Sequence, residues 1–247
     1  MQRYFVPYHE LEQELLITGA DAHHIKNVMR MRIGMPLLVS NGHVVHYAVI
    51  KGFAEQGVRV ELQYVVKENR ELPIKVTIAQ GLPKGDKFEW IIQKTTELGV
   101  HELIPVFSQR SIVKVDTKKA GRKLERYNRI AKEASEQSHR SRIPIIQPFM
   151  TLEEFMAYGQ SFTYRLVAYE ASRDEDHHAL YHILQKVQEG DSICVFIGPE
   201  GGIADEELEQ LVKHGFRIIS LGNRVLRTET APIFVMSAIV YELELKG

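Results

Sequence analysis

Short apolar runs alternate with turn residues over the first 70 positions of this 247-residue chain. The runs PLLVS and VVHYAVI flank Asn41-Gly42, a dipeptide that favours a tight hairpin turn. A third run, VRVELQYVV, follows them, and residues 21–30 are predicted to form one short helix. The pattern predicts a small, mainly β domain over residues 1–71.

From residue 73 the pattern changes to alternating strands and helices. IKVTIAQ (74–80) and ELIPVF (102–107) are predicted strands, and Asp86 with Glu89 forms a predicted capping box for the helix between them. Nearly continuous apolar runs are typical of buried parallel strands. Three more such runs follow: 164–170, 193–198 and 216–222. Residues 72–247 are therefore predicted to form an α/β domain around a parallel sheet.

The segment Ala231–Tyr241 is apolar nearly all round, so at least two faces of this predicted helix must be covered. A homodimer interface would cover one face, and the alternative is a fully interior helix in a monomer. No window reaches the roughly 18 apolar residues of a membrane span. The N-terminus lacks a signal-peptide core, and the single Cys194 excludes an internal disulfide framework. We expect a cytoplasmic protein.

The charges are unevenly distributed along the chain, although the net charge is only −1. Residues 110–142 carry eleven Lys and Arg against four Asp and Glu, whereas residues 150–247 carry eight against sixteen. A basic block of this kind favours contact with nucleic-acid phosphates. The alternative is a solvated helix face, which is the usual role of a charge run.

Two glycine-bearing loops lie at the C-terminal ends of adjacent predicted strands: Gly198-Pro-Glu-Gly-Gly202 and 221–231. Ligands of open α/β sheets bind at this edge, and glycine lets the backbone approach them closely. Neither loop has the spacing of a phosphate-binding or dinucleotide-binding loop. The alternative is a pair of tight strand-to-helix turns. No metal is expected, because the doublets His23-His24 and His177-His178 lack further ligands at a suitable spacing.

Taken together, the two loops resemble the cofactor-binding region of SPOUT methyltransferases. Three further segments resemble the RsmE family within that superfamily: Gln80-Gly-Leu-Pro-Lys-Gly-Asp-Lys87, Lys94-Thr-Thr-Glu-Leu-Gly-Val100 and Glu133-Ala-Ser-Glu-Gln-Ser-His-Arg140. His23-His24 with Val28-Met-Arg-Met-Arg-Ile-Gly34 is similar to the PUA-like RNA-binding domain of the same family. The matches run in order from about residue 20 to residue 232.

The resemblance implies a PUA-like β-barrel over 1–71 and a SPOUT-type parallel sheet with a C-terminal trefoil knot over 72–247. It implies S-adenosylmethionine-dependent methylation of N3 of a uridine, position 1498 of 16S ribosomal RNA in the small subunit, by a homodimer. Two alternatives stay open. One is another SPOUT RNA methyltransferase, acting at ribose 2′-O or on another base, and the other is a non-catalytic ribosome-binding protein.

The resemblance also assigns residues to three roles. The cofactor S-adenosylmethionine is expected to contact Glu170, Gly198, Glu200, Gly201, Gly202, Leu221, Gly222, Leu226 and Thr228. The catalytic candidates, which would handle the uridine proton and the anion it leaves, are Arg140, Arg227 and Glu229. The cations expected to bind RNA are Arg30, Arg32, Lys84, Lys87, Arg110, Lys118, Lys119, Arg122 and Lys123.

Overall fold

The computed structural model describes residues 1–9, 12–67, 70–111, 117–169 and 178–246, without the side chains of 117–119. Glu170 and His177 therefore lie outside the described residues, as do the side chains of Lys118 and Lys119. The chain divides into two compact units: unit 1 comprises 1–71 with 135–143, and unit 2 comprises 72–134 with 144–247.

A five-stranded sheet forms unit 1, with the strand order β1-β3-β4-β5-β2. Its strands are β1 (Arg3–Phe5), β2 (Glu14–Thr18), β3 (Pro36–Ser40), β4 (Val45–Ala54) and β5 (Gly57–Val65). Helix α1 (Gly19–His23) continues into a π-helical turn at His24–Val28. Together they correspond to the short helix predicted over residues 21–30. The strands β1 and β3 are parallel, and the other pairs are antiparallel. The predicted small β domain is confirmed.

The predicted hairpin joins β3 to β4. Asn41 closes the turn, because its side-chain oxygen accepts hydrogen bonds from the backbone N–H groups of His43 and Val44, at 3.0 and 2.9 Å. Gly42 has a φ of 92°, a backbone conformation that is costly for any residue with a side chain. Inward-facing residues of the strands and of the helical segment form the core of unit 1, including Ile17, Ile25 and Ile50.

Residues 135–143 belong to unit 1, although the sequence pattern assigns them to the α/β domain. Hydrogen bonds explain this difference. The buried guanidinium of Arg3 donates to the backbone carbonyls of His139 and Arg140, at 2.5 and 2.6 Å. The hydroxyl of Ser40 donates to the carbonyl of Ser141 at 2.8 Å. Such contacts join residues more than 100 positions apart, so periodicity cannot reveal them.

A parallel sheet forms unit 2, and its main path runs β12-β10-β11-β6-β7-β8, with β9 also paired to β7. Its strands are β6 (Lys75–Gly81), β7 (Glu102–Phe107), β8 (Ile145–Ile146), β9 (Met150–Thr151), β10 (Tyr164–Ala168), β11 (Ser192–Ile197) and β12 (Arg217–Ile219). The prediction that the two glycine loops follow adjacent strands is wrong, because β10 lies between β11 and β12. Both loops still leave the same edge, since all pairs are parallel.

Helices connect these strands: α2 (Lys87–Glu97), α3 (Thr117–Gln137), α4 (Leu152–Gly159), α5 (Ala179–Leu184), α6 (Asp205–Lys213) and α7 (Thr230–Val240). Asp86 is the N-cap of α2, but its side chain accepts no capping hydrogen bond, so the predicted capping box is wrong. Its φ of −95° and ψ of 10° lie outside the extended region from which an N-cap side chain reaches the first turn. Thr151 and Glu154 form a capping box at α4 instead.

Helix α7 buries one side and exposes the other. Ala231, Val235 and Ile239 are buried, whereas Phe234 is 41% exposed. A fully interior helix, the alternative left open by the sequence, is therefore wrong for this chain. A helix able to cross a membrane is absent from the described residues.

Candidate functional site

A cavity of about 740 Å³ lies between the loop that follows β11 and the loop that follows β12. It lies within the roughly 300–1,000 Å³ range of small-molecule sites. The lining contains every described residue predicted to contact the cofactor: Gly198, Glu200, Gly201, Gly202, Leu221, Gly222, Leu226 and Thr228. The structure therefore brings both loops together at the C-terminal edge of the sheet, where ligands of α/β sheets bind.

Close backbone packing explains several glycines of the site. A Cβ at Gly81 would lie 2.6 Å from Cδ of Pro199, so the loops after β6 and β11 touch through their backbones. A Cβ at Gly201 would lie 3.0 Å from Cβ of Arg110, and the Arg110 guanidinium donates to the Gly201 carbonyl at 3.2 Å. A side chain at Gly201 would therefore be tight against Arg110, which would have to shift by a few tenths of an ångström. Gly222 is different, because its φ is 97° and the space around it is open.

Gln80, at the end of β6, links the two loops. Its buried side-chain nitrogen lies within hydrogen-bonding distance of the carbonyls of Gly81, Ile197 and Gly198 and of Oγ1 of Thr228. Thr228 in turn donates to the Gly198 carbonyl at 2.8 Å. The predicted site omits Gln80. A glutamine inside an otherwise apolar buried strand was the available signal, because a buried amide needs partners.

Lys87 connects two carboxylates beside the cavity. Its Nζ lies 3.0 Å from Oε1 of Glu200 and 3.2 Å from Oε2 of Glu229. Hydrogen bonds to Glu200 and then to Glu229 raise the pKa of Lys87. Burial favours the neutral form of Glu200, but hydrogen bonds from Lys87 and from the backbone N–H of Lys84 outweigh it and lower the pKa of Glu200. Both groups are therefore charged near neutral pH, and Lys87, predicted to bind RNA, holds two parts of the site together.

Three guanidinium groups also line the cavity: those of Arg110, Arg224 and Arg227. Arg224 and Arg227 are exposed. Within the described parts of the chain, neither forms an ion pair or side-chain hydrogen bond, so both are available to an anionic ligand. Arg227 was a catalytic candidate, whereas Arg224 was not singled out. Glu229, the third candidate, is absent from the described lining and pairs with Lys87.

Arg140 occupies a structural position in unit 1. It is 3% exposed, and its guanidinium lies 2.5 Å from Oε2 of Glu71. The other oxygen of Glu71 accepts from the backbone N–H groups of Ser141 and Arg142, at 2.9 and 3.2 Å. A catalytic guanidinium would have to leave this buried ion pair, which costs several kcal/mol. This geometry favours a structural role for Arg140, and its expected role at the uridine stays a prediction.

The remaining predicted RNA-binding cations are distributed over both units. In unit 1, Arg30 and Arg32 are exposed in the turn before β3. In unit 2, the side chain of Lys84 is exposed, as is that of Arg122 on α3, and Lys123 is partly buried. Among the described residues, no group of three His, Cys, Asp or Glu side chains could hold a metal ion.

Most of the chain matches two protein families. Residues 70–240 match the family described as the RNA methyltransferase domain, and residues 17–62 match the RNA methyltransferase PUA domain. The ribosomal RNA small subunit methyltransferase E of Bacillus subtilis is 43% identical over 99% of this chain and 98% of that relative. The protein of the same name from Synechocystis is 32% identical over 96% of this chain and 76% of that relative.

A solved structure resembles both units. The crystal structure of the ribosomal RNA small subunit methyltransferase E from Neisseria gonorrhoeae, bound to S-adenosylmethionine, has a TM-score of 0.84. It is 28% identical in sequence and covers 97% of each chain.

Proposed function

The chain belongs to the ribosomal RNA small subunit methyltransferase E family, and from this premise we propose that it methylates N3 of a uridine in 16S ribosomal RNA, at position 1498, using S-adenosylmethionine. One observation carries the proposal. A single cavity joins both glycine loops to the guanidinium groups of Arg224 and Arg227, which no other described residue engages. A small cofactor and an anionic RNA segment therefore meet at one edge of the sheet.

The residues of the cavity fit the cofactor. Leu221 and Leu226 offer apolar surface for the adenine, and the glycine loops offer backbone donors and acceptors. The arginines suit a carboxylate. When bound, S-adenosylmethionine supplies an activated methyl group, so the protein must supply alignment and a nucleophile.

Uridine N3 becomes a nucleophile only after it loses its proton, and the resulting anion spreads onto O2 and O4. We assign Arg227 to this anion, because its guanidinium lines the cavity and is not engaged elsewhere in the described structure. A fixed guanidinium in a partly enclosed site stabilises developing negative charge more than water does.

The proton is assigned to water, because Lys87 engages Glu200 and Glu229, the carboxylates beside the cavity in the part of the chain that the structure describes. Glu200 and Glu229 then act as positioning residues. They hold the loop after β11 and the start of α7 against the first turn of α2. The C-terminal segment is proposed to thread as a trefoil knot, the topology that the resemblance to SPOUT methyltransferases implies.

The proposed assembly is a homodimer that acts on the small subunit in the cytoplasm. The exposed side of α7 carries Phe234, and the exposed Tyr241 directly follows this helix. Helix α2, which packs against α7, exposes Trp90. Aromatic side chains of this size favour a protein interface. The cations of α3 and of the turn before β3 are proposed to contact RNA phosphates.

This function is tested by incubating the protein with labelled S-adenosylmethionine and with small ribosomal subunits whose 16S RNA lacks this methyl group. We expect one methyl group per 16S RNA, located by mass spectrometry at N3 of the uridine at position 1498. A methyl at ribose or on another base would support another RNA methyltransferase activity. If calorimetry detects no binding of S-adenosylmethionine, this result would support a non-catalytic ribosome-binding protein.

A further inference from the structure

Val225 is the most exposed large apolar side chain of the described residues, with 78% of its surface accessible. It also lines the cavity, so it lies at the opening. An isolated exposed apolar residue is normal on a protein surface and needs no explanation. The position of Val225 distinguishes it, because the exposed residues 222–225 project beside a site for a small molecule.

The residues around Val225 carry positive charges, which attract the negative phosphates of RNA. Arg224 and Arg227 flank it within three residues, and both line the same cavity. Arg110 contributes a third guanidinium, close to the Gly201 carbonyl. An apolar tip between cations combines two contacts that a nucleic acid offers: phosphates for the guanidinium groups and base faces for the valine.

The proposed reaction gives this arrangement a purpose. Uridine N3 lies on the base-pairing edge, so a stacked or paired uridine presents it poorly to a cavity. Enzymes that modify such atoms take the base out of the stack, which costs a few kcal/mol. Apolar side chains inserted between bases are a common way to stabilise the unstacked form.

We infer that Val225 enters the base stack at the gap left by the target uridine, and that Arg224 binds the phosphate beside it. The inference rests on the proposed function, since it requires a base that enters the cavity. Arg227 keeps its role at the uridine, two positions after Val225 in the same loop.

Fluorescence of 2-aminopurine, which rises when the base unstacks, tests the inference directly. The probe is placed next to the target uridine in reconstituted small subunits, and S-adenosylhomocysteine replaces the cofactor to prevent turnover. We expect a severalfold rise with the wild-type protein and less than a fifth of that rise with V225A. The matched control is V212A, because Val212 is 46% exposed on α6 and is absent from the described lining. It should behave as the wild type.

Single-turnover methylation gives the second measurement. V225A should be at least tenfold slower than the wild type on native subunits. The defect should shrink to less than threefold when an abasic site beside the uridine has already disrupted the stack. R224A should weaken RNA binding on both substrates alike, by about tenfold, because a phosphate contact does not depend on stacking.

Several results would overturn the inference. Normal fluorescence with V225A removes the wedge, and a weaker affinity for S-adenosylmethionine places Val225 in the cofactor pocket instead. A changed molecular mass makes it a contact between copies, and an equal defect on both substrates removes the link to stacking. If the wild-type protein methylates an atom other than N3, the proposed function fails. The fluorescence comparison of V225A with V212A still decides the wedge.

Discussion

The side-chain nitrogen of Gln80 donates a hydrogen bond to Oγ1 of Thr228 at 2.9 Å, and both side chains are buried. Gln80 is the penultimate residue of β6, and Thr228 lies in the loop after β12, so the contact joins positions 148 residues apart. Because the same nitrogen also lies within hydrogen-bonding distance of the carbonyls of Ile197 and Gly198, one amide holds both loops of the cavity.

Q80L should therefore loosen the cavity more than it loosens the fold. Removing the amide takes a donor away from buried carbonyls, and each group left unsatisfied costs about 1–3 kcal/mol. We expect cofactor affinity to fall at least tenfold by calorimetry. The matched control is T77V on the same strand, whose hydroxyl donates to Glu102. It should lower stability in urea unfolding and leave cofactor affinity within twofold; an equal loss of affinity in both variants would contradict the assignment.

The elements of this chain were predictable where they depend on local periodicity. The sheet of unit 1, its hairpin at Asn41 and the buried parallel strands of unit 2 follow from apolar spacing and turn residues, whereas the membership of residues 135–143 in unit 1 does not. Strand order was not predictable, because the insertion of β10 between β11 and β12 depends on contacts far apart in the chain.

The candidate site was likewise predictable from the sequence only in part. Glycine loops identify a ligand edge, and the structure brings their predicted residues to one cavity. Single side chains were harder to assign. Arg140 and Lys87 are charged and follow recognisable motifs, but each pairs with a carboxylate distant in sequence. Sequence spacing cannot distinguish a cation that awaits a ligand from one that already has a partner.

Lys87 and Lys84 form a natural pair for testing that distinction. K87M removes the link between Glu200 and Glu229, so we expect weaker cofactor binding, by about tenfold. K84M leaves its backbone N–H on Glu200 and removes only an exposed cation, so cofactor affinity should not change. RNA affinity measured at several salt concentrations completes the comparison. A reduced salt dependence for K87M with normal cofactor affinity would restore its role as a phosphate contact.

The effect of pH on the K87M defect follows from the two shifted pKa values. The pKa of Glu200 is lowered from 4.5, so its contribution is present above that value and is lost as pH falls through the lower pKa. The pKa of Lys87 is raised from 10.5, so its contribution is present below that value and is lost as pH rises through the higher pKa. The K87M defect should thus be constant between pH 6 and 9; a marked change there would contradict the ion pair.

Arg140 should prove structural when it is replaced. R140A leaves Glu71 in a largely buried site without its cation, which typically costs about 3–5 kcal/mol. Urea unfolding should show this loss, and the double variant R140A/E71Q should recover part of it. Single-turnover methylation at saturating RNA should stay within threefold of the wild type under conditions where R140A is folded. A rate at least a hundredfold lower would return Arg140 to catalysis.

The exposed side of α7 predicts the assembly. F234R places a charge on an apolar surface that a second copy would bury, so it should convert the dimer to a monomer. V212R introduces the same charge on α6 at similar exposure and should keep the wild-type mass. Light scattering at micromolar concentration measures both. A monomeric wild-type protein, or a dimeric F234R, would contradict the proposed interface.

The basic block at residues 110–142 is expected to contact RNA phosphates. The four cations Lys118, Lys119, Arg122 and Lys123 lie along the N-terminal half of α3, and Arg122 is exposed. Counterions leave RNA when cations bind its phosphates, so each true contact contributes about 0.7–0.9 to the slope of log affinity against log salt. Replacing all four by Gln should flatten this slope by about 3 to 3.5.

The loss should be equal for native and scrambled RNA, since phosphate contacts carry no sequence information. R126Q on the same helix is the control, because Arg126 pairs with Glu89 at 2.7 Å and should change the slope by less than about 0.5. If the fourfold variant keeps the wild-type slope, the block is a solvated face. RNA would then be held by other cations, with Arg30 and Arg32 the next to replace.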